Sequence, residues 1–271
     1  MSAIGRIGFL GGGKIAQAMA KGFIAGGLTK ASNIIASVHP SDKVSFESFK
    51  SLGAETITEN SPVVKGSDVI FISVKPAVVP SVLEGVKEIS ANKLFISVAM
   101  GITLNTLEGN LPETSRVIRV MPNTPALVKA GCSVFVRGAK ANDSDANITQ
   151  KLLESIGTCE EVTENLLDPI TALSGSGPAY VFVMIEALAD GAVRMGIPRD
   201  MAYRLASQTV LGSGQLVRDS KVHPGQLKDD VCSPAGSTAA GLKYLENNGF
   251  RASVAGAVEA ATSRCKEISG N

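Results

Sequence analysis

The chain is 271 residues long, 44% hydrophobic, and carries a formal charge of +1 at pH 7. At roughly 150 residues per domain, that is enough for about two domains with a sizeable core, and it excludes a disordered chain. Near-zero net charge argues against nucleic acid as the main partner, because such binders present a basic patch or stripe.

From Ile4 to about Val162, short apolar runs alternate with amphipathic stretches. Strands are predicted at Ile4–Leu10, Asn33–Ser37, Asp68–Val74, Leu94–Ala99, Val117–Met121, Ser133–Val136 and Cys159–Val162, several of them rich in β-branched residues. Between them, spacing or start signals predict helices at Ile15–Ala25, Lys43–Leu52, Pro80–Ile89, Thr103–Gly109 and Ser144–Ile156. Strand–helix alternation with continuous apolar strands is the signature of a parallel sheet covered on both faces. After Asn165 the strand signal stops. Helices are predicted at Ala179–Met195, Arg199–Arg218, Gln226–Cys232, Ser237–Asn248 and Arg251–Ile268, separated by Gly- or Pro-containing breaks. The Ala179–Met195 stretch is apolar nearly all round, which in so small a helical unit points to burial against a second subunit. A homodimer through this half is therefore expected. No membrane partner is expected, because the run Ala179–Ala189 is interrupted by Glu186 and falls short of about 18 clean apolar residues. Cys132, Cys159, Cys232 and Cys265 lie far apart with no CxxC pair, the pattern of reduced intracellular thiols and not of a metal site.

Glycine is abundant, 28 of 271 residues, and the first cluster has a chemical use. Gly11, Gly12 and Gly13 end a strand and open a helix, and Gly11, Gly13 and Ala16 occupy the three small positions of a dinucleotide fingerprint. Gly11 permits the tight turn, Gly13 lets backbone N–H groups approach a pyrophosphate, and Ala16 allows close helix–strand packing. The expected fold class is thus α/β: a Rossmann-type doubly wound parallel sheet over residues 1–164, followed by an all-α substrate-binding and dimerisation unit over residues 165–271. About 20 residues further on, an acid would favour NAD. The segment instead runs from Ala36 and Ser37 through His39 and Ser41 to Lys43, and its hydroxyls, imidazole and lysine suit a 2′-phosphate better than a bare diol. Asp42 rotating inward is the alternative. NADPH is the expected cofactor, with NADH tolerated. Lys75 and Pro76 end one further strand and Ala99 another, and both strand ends open on the same crevice. A plain strand-terminating turn is the other reading of Lys75. Met121–Pro125 forms a rigid two-proline loop able to pack against the nicotinamide. Ser233–Thr238 offers hydroxyls and free N–H groups at a helix start, a ready site for a carboxylate.

The runs GFLGGGKIAQAMAKG, VKP, MPNTPA, LSGSGPAY and HPGQLKD…SPAGST together resemble the pyrroline-5-carboxylate reductase family, in order and over nearly the whole chain. The resemblance implies reduction of the C=N bond of 1-pyrroline-5-carboxylate to L-proline by NAD(P)H, in a dimer that members of the family assemble into rings such as decamers. It further implies that Gly11, Gly12, Gly13, Lys14, Ile15, Ser37, Asn60, Ser73, Val74, Lys75 and Pro76 contact the dinucleotide. Ser233, Gly236, Ser237 and Thr238 would hold the substrate, with Thr238 orienting the ring nitrogen as the catalytic group. Asp230 departs from the amide some relatives carry near the cofactor ribose. Family members occur in cytosol and in mitochondria, and the absence of an Arg-rich leader favours the cytosol. Three other readings compete: a β-hydroxyacid dehydrogenase or imine reductase, a non-catalytic NADPH sensor, and a structural dimerisation module. The first would use a lysine that Ala179–Met195 lacks, the second has no need of an anion site at Ser233–Thr238, and the third explains only the apolar helix.

Overall fold

The structure, a computed structural model, describes residues 4–270, so positions 1–3 and 271 of the expected domain ranges lie outside the described residues. Among the described residues there are eight strands: β1 (Ile7–Leu10), β2 (Ile34–Ser37), β3 (Glu55–Ile57), β4 (Val69–Ile72), β5 (Leu94–Ser97), β6 (Arg116–Met121), β7 (Gly131–Arg137) and β8 (Gly157–Glu161). They form one sheet in the order β3-β2-β1-β4-β5-β6-β7-β8. Every neighbouring pair is parallel except β6 and β7, which run antiparallel with Val120 opposite Phe135. The exception has a local cause: the link between them is a single 3-10 turn, Thr124–Val128, and parallel strands need a longer crossover.

The helices around this sheet are α1 (Lys14–Ala25), α2 (Lys43–Ser51), α3 (Asn60–Gly66), α4 (Val79–Glu84), α5 (Leu104–Gly109), α6 (Asp143–Glu154) and α7 (Leu167–Ile170). The expected helix at Pro80–Ile89 is broken: α4 stops at Gly85, and a 3-10 turn follows at Lys87–Ile89. The central strands bury both faces, as a doubly covered sheet requires. Alternate residues feed two cores. Phe9, Phe71 and Ile96 join one with Phe23 and Phe49, whereas Leu10, Ile70, Ile72 and Phe95 join the other. Phe9 stacks on Phe71 with ring centroids 5.0 Å apart and meets Phe49 at 5.6 Å. Ala16 is fully buried, the close helix–strand packing its small size permits.

Among the described residues, those up to Gly175 together with those from Thr262 onward form one compact unit, and Ser176–Ala261 form a second. The segment 165–175, assigned to the helical half on sequence grounds, thus falls in the first unit, as does the end of the last helix. The second unit holds α8 (Gly177–Arg194), α9 (Arg199–Ser220), α10 (Pro224–Asp230), α11 (Ser237–Asn247) and most of α12 (Phe250–Ser269). Its internal core is small. Among the described residues only Ala189, Ala202 and Ala206 are buried apolar side chains there, with Ile185, Ala192, Val193 and Ile197 packed against them. Phe182, Val183, Leu188 and Met195 stay exposed in the single chain, so α8 is not buried all round by its own unit. Helical structure continues from Glu164 to Arg194, 31 residues whose most apolar 18-residue window has a mean hydropathy of 1.3, long and apolar enough by length and composition alone to cross a membrane. Counting only Ala179–Ala189 missed this because α7 and the π-turn at Thr171–Gly175 lead straight into α8.

Candidate dinucleotide and substrate sites

At the carboxyl ends of β1, β2 and β4 the first unit opens a cleft of about 570 Å³. Parallel strands all end on this side, which is why ligands of such sheets bind there. Gly11, Gly12, Gly13, Ser37, His39, Asn60, Ser73, Val74 and Lys75 line it, bringing together nine of the positions singled out from the sequence. Lys14, Ile15, Pro76 and Ala99 do not line it. Lys14 and Ile15 begin α1, Pro76 begins a 3-10 turn, and Ala99 is 5% exposed just past β5. The loop Met121–Pro125 is also absent from the wall. Asn123 instead ties that loop to its neighbours: its Nδ2 donates to the Ser174 carbonyl at 3.0 Å, and its Oδ1 accepts from Cys132 N–H at 2.8 Å.

The glycine turn is built for two different reasons. Gly11 sits at φ +100°, and a Cβ there would lie 2.8 Å from the Ser73 carbonyl, so the fold itself requires glycine. Gly13 has an ordinary extended φ of −63°, and a Cβ on it would meet nothing within 4 Å. Its bare backbone faces open space. Gly13 is also the N-cap of α1 and no side chain caps the helix, so the first N–H groups of α1 are left for a ligand. A pyrophosphate fits this cradle. Around it the polar groups are fixed: Ser37 Oγ donates to Asn60 Oδ1 at 2.6 Å, and Ser73 Oγ donates to the Gly11 carbonyl at 2.8 Å.

The wall beyond Ser37 holds one carboxylate, and it is engaged. Asp42 caps α2, its Oδ1 accepting from Ser45 N–H at 3.0 Å. Hydrogen bonds from Ser45, side chain first and backbone second, hold its carboxyl below the ordinary range, with a smaller contribution from His39. Sequence reading missed Thr58, Val78 and Val82, which also line the cleft. Thr58 follows β3, a three-residue edge strand without an apolar run to announce it.

In the second unit, α11 opens on Ser237 with Gly236 as its N-cap, and again no side chain caps it. Ala235 takes a left-handed φ of +56°, and Gly236 N–H donates to the Ser233 carbonyl at 3.0 Å. The turn leaves the N–H groups of the first residues of α11 free of helix partners, with the Ser233, Ser237 and Thr238 hydroxyls beside them. A carboxylate suits this end. Asp230 accepts from Gln226 Nε2 at 2.7 Å, within its own helix. His223 caps α10, its Nδ1 accepting from Gly225 N–H at 3.1 Å, a structural task for an exposed ring.

A mostly parallel sheet with an uncapped glycine turn at its cleft, joined to a helical unit, defines a two-domain oxidoreductase of the nicotinamide-dinucleotide type. A family profile described as NADP oxidoreductase, coenzyme F420-dependent, matches residues 6–101, and one described as pyrroline-5-carboxylate reductase dimerisation matches residues 164–268. Pyrroline-5-carboxylate reductase 3 of Mus musculus is 44% identical over 99% of this chain and 98% of its own length. Two solved structures superpose with TM-scores of 0.90 at 34% identity, each covering 98% of this chain and 99% of its own. One is a pyrroline-5-carboxylate reductase from Coxiella burnetii, the other the Plasmodium falciparum pyrroline carboxylate reductase with NADP bound. The chain belongs to the pyrroline-5-carboxylate reductase family.

Proposed function

We propose that the chain reduces 1-pyrroline-5-carboxylate to L-proline, the closing step of proline biosynthesis, with NADPH preferred and NADH accepted. The observation that carries the reading is the second uncapped helix start, at Gly236–Thr238. A cofactor sensor or a dimerisation module has no use for it, whereas a reductase of a carboxylated imine needs an anion site besides the cofactor cleft. The preference for NADPH is supported by Ser37 where an acid would read a ribose diol, and by the engagement of Asp42 on α2.

The protonated imine is already electrophilic, so little is asked of the side chains. A nicotinamide cofactor held in the cleft would supply the hydride for C5 of the ring. The backbone N–H groups of Ser237 and Thr238 would hold the substrate carboxylate. The Thr238 hydroxyl would hydrogen-bond the ring nitrogen and orient the C=N bond. Positioning of this kind contributes about 7–11 kcal/mol in favourable cases. The glycine cradle at Gly11–Gly13, with Lys14 and Ile15 at the start of α1, would hold the pyrophosphate. Lys75 adds a cation to the same wall.

The apolar face of α8 fits burial against a second copy, in keeping with the dimerisation profile over this region, and we extend this to a homodimer that assembles into a decamer without membrane insertion. The free cysteines suit a reducing compartment, and the cytoplasm is the location proposed. The test is loss of NADPH absorbance when purified protein meets pyrroline-5-carboxylate, with proline measured and the rate repeated with NADH. Substrate-dependent oxidation with proline formed supports the reaction; tight NADPH binding without oxidation moves the weight to a sensor. Thr238→Ala should lower turnover roughly 10- to 100-fold, the worth of a hydrogen bond to a charged group, with NADPH affinity unchanged, and a loss of cofactor affinity would reassign that residue.

A further inference from the structure

Two motifs singled out from the sequence, the two-proline loop Met121–Pro125 and the run that opens α8, form no part of the cleft wall. The structure ties them to each other. In an α-helix the Ser174 carbonyl would accept from the residue four places on, but that residue is Pro178, which has no N–H. The next N–H, of Ala179, goes to the Ser176 carbonyl at 3.0 Å. Asn123 supplies the missing donor: its Nδ2 reaches the Ser174 carbonyl at 3.0 Å, while its Oδ1 accepts from Cys132 N–H at 2.8 Å. One partner can only accept and the other can only donate. The amide therefore has one orientation, and turning it over loses both bonds. The approach is close as well, because a Cβ on Gly175, the last residue of the π-turn, would run into Met121 Cε.

This loop leaves the sheet on the side where the cleft opens, since β6 runs parallel to β5, and β5 to β4 and β4 to β1. In the sheet β2 flanks β1 on one side, and β4, β5 and β6 follow on the other. A dinucleotide with its pyrophosphate on the glycine turn and its adenosine beside Ser37 would carry its nicotinamide towards the ends of β5 and β6. We infer that Asn123 is a positioning residue for hydride transfer: by giving the Ser174 carbonyl its donor, it fixes the loop after β6 against which the nicotinamide ring would rest. The adenosine half of the cleft is built by other strands and does not depend on it. The inference rests on the dinucleotide reading of the cleft and assigns the placing of its reactive end to a side chain outside the wall.

The experiment compares calorimetric binding of NADPH with that of adenosine 2′,5′-bisphosphate, which lacks the nicotinamide half, in wild-type protein and two variants. Asn123→Ala loses both bonds. Asn123→Asp keeps an acceptor for Cys132 N–H and has no donor for Ser174. Both variants should bind NADPH roughly three- to tenfold more weakly, the worth of one hydrogen bond, and the bisphosphate as wild-type protein does. In steady state, kcat should fall roughly 10- to 100-fold, while KM for pyrroline-5-carboxylate stays as in wild type. The primary deuterium isotope effect on kcat, read with NADPH deuterated at C4, should rise as hydride transfer becomes the slow step. A simple loss of folded protein would leave that ratio where it was. Equal weakening of both probes, or Asn123→Asp matching wild-type protein in NADPH affinity and isotope effect, overturns the inference while the cofactor site stands. If wild-type protein binds neither probe, the dinucleotide reading itself fails, and the inference with it. Circular dichroism of each variant separates these results from misfolding.

Discussion

The two units solve the problem of burial in opposite ways. In the sheet unit, Phe9, Phe23, Phe49, Phe71, Phe95 and Phe135 are all fully buried, shared between two cores that cover both faces of the strands. In the helical unit the buried apolar side chains among the described residues are three alanines, while Phe182 is 58% exposed and Met195 81%. A helix apolar nearly all round has nowhere to put its second face within one chain. The sheet unit is self-sufficient in its core, and the helical unit is a half-finished one. Its stability should therefore depend on protein concentration, whereas that of the sheet unit should not.

The largest effect should come from a charge placed on the unfinished face. Phe182→Asp, on α8, would bury an unpaired carboxylate in the dimer at a cost of several kcal/mol. Sedimentation velocity should show monomers, and the helical melting transition should broaden or vanish. A stable dimer with unchanged melting would remove the basis of the comparison.

Next in size is a cavity in the finished core. Phe71 is fully buried, stacks on Phe9 and meets Phe23 at a tilt, so Phe71→Ala should cost about 3–5 kcal/mol. The loss should appear in denaturant unfolding at every protein concentration. If it varied with dilution, the sheet unit would also depend on a partner.

A smaller pair of variants tests whether the glycine turn serves the fold or the ligand. Gly11→Ala places a methyl against the Ser73 carbonyl at a left-handed φ and should destabilise the sheet unit by about 1–3 kcal/mol. Gly13→Ala fills only open space and should leave stability within about 0.5 kcal/mol, yet NADPH titration should show weaker binding. Unchanged affinity in Gly13→Ala would move the phosphates away from the start of α1.

How much of this was legible beforehand follows from the same contrast. The buried strands β1, β2, β4 and β5 were readable because a doubly covered strand is mostly apolar, and β6 through its valines and isoleucine despite the buried Arg119. β3 and α3 were not: Glu55–Ile57 is a short edge strand with an exposed first residue, and Asn60–Gly66 buries little beyond Val63 and Val64. The reversed direction of β7 left no trace in its apolar pattern, since a buried strand looks alike in either sense. Gly11–Gly13 and Ser37 could be placed because the strand ends of such sheets converge on one side. The engagement of Asp42 on α2 and of Ser41 on His39 could not, because each depends on rotamers that only the folded loop sets. The apolar helix was recognised as needing cover and its expected range agrees with α8 to within two residues, but the π-turn that joins α7 to it left no signal.

The smallest effect, and the one that reads both units at once, is thiol labelling. Cys159 on β8 is buried, and burial pushes its thiol up to about 12, so at neutral pH it is protonated as well as shielded. A thiol raised in this way favours the folded state below its ordinary value of 9.0, and the contribution is lost as pH rises from there towards about 12. Cys132 is exposed, whereas Cys232 is half-buried in the helical unit. Iodoacetamide should therefore modify Cys132 first, and Cys159 only when the sheet unit opens. Dilution should speed labelling of Cys232 without touching the rate at Cys159, because a core completed by a second copy would loosen on dilution and a self-contained one does not. If the two rates rise together on dilution, the units share one cooperative core. The difference in their burial would then be one of position, and not of stability.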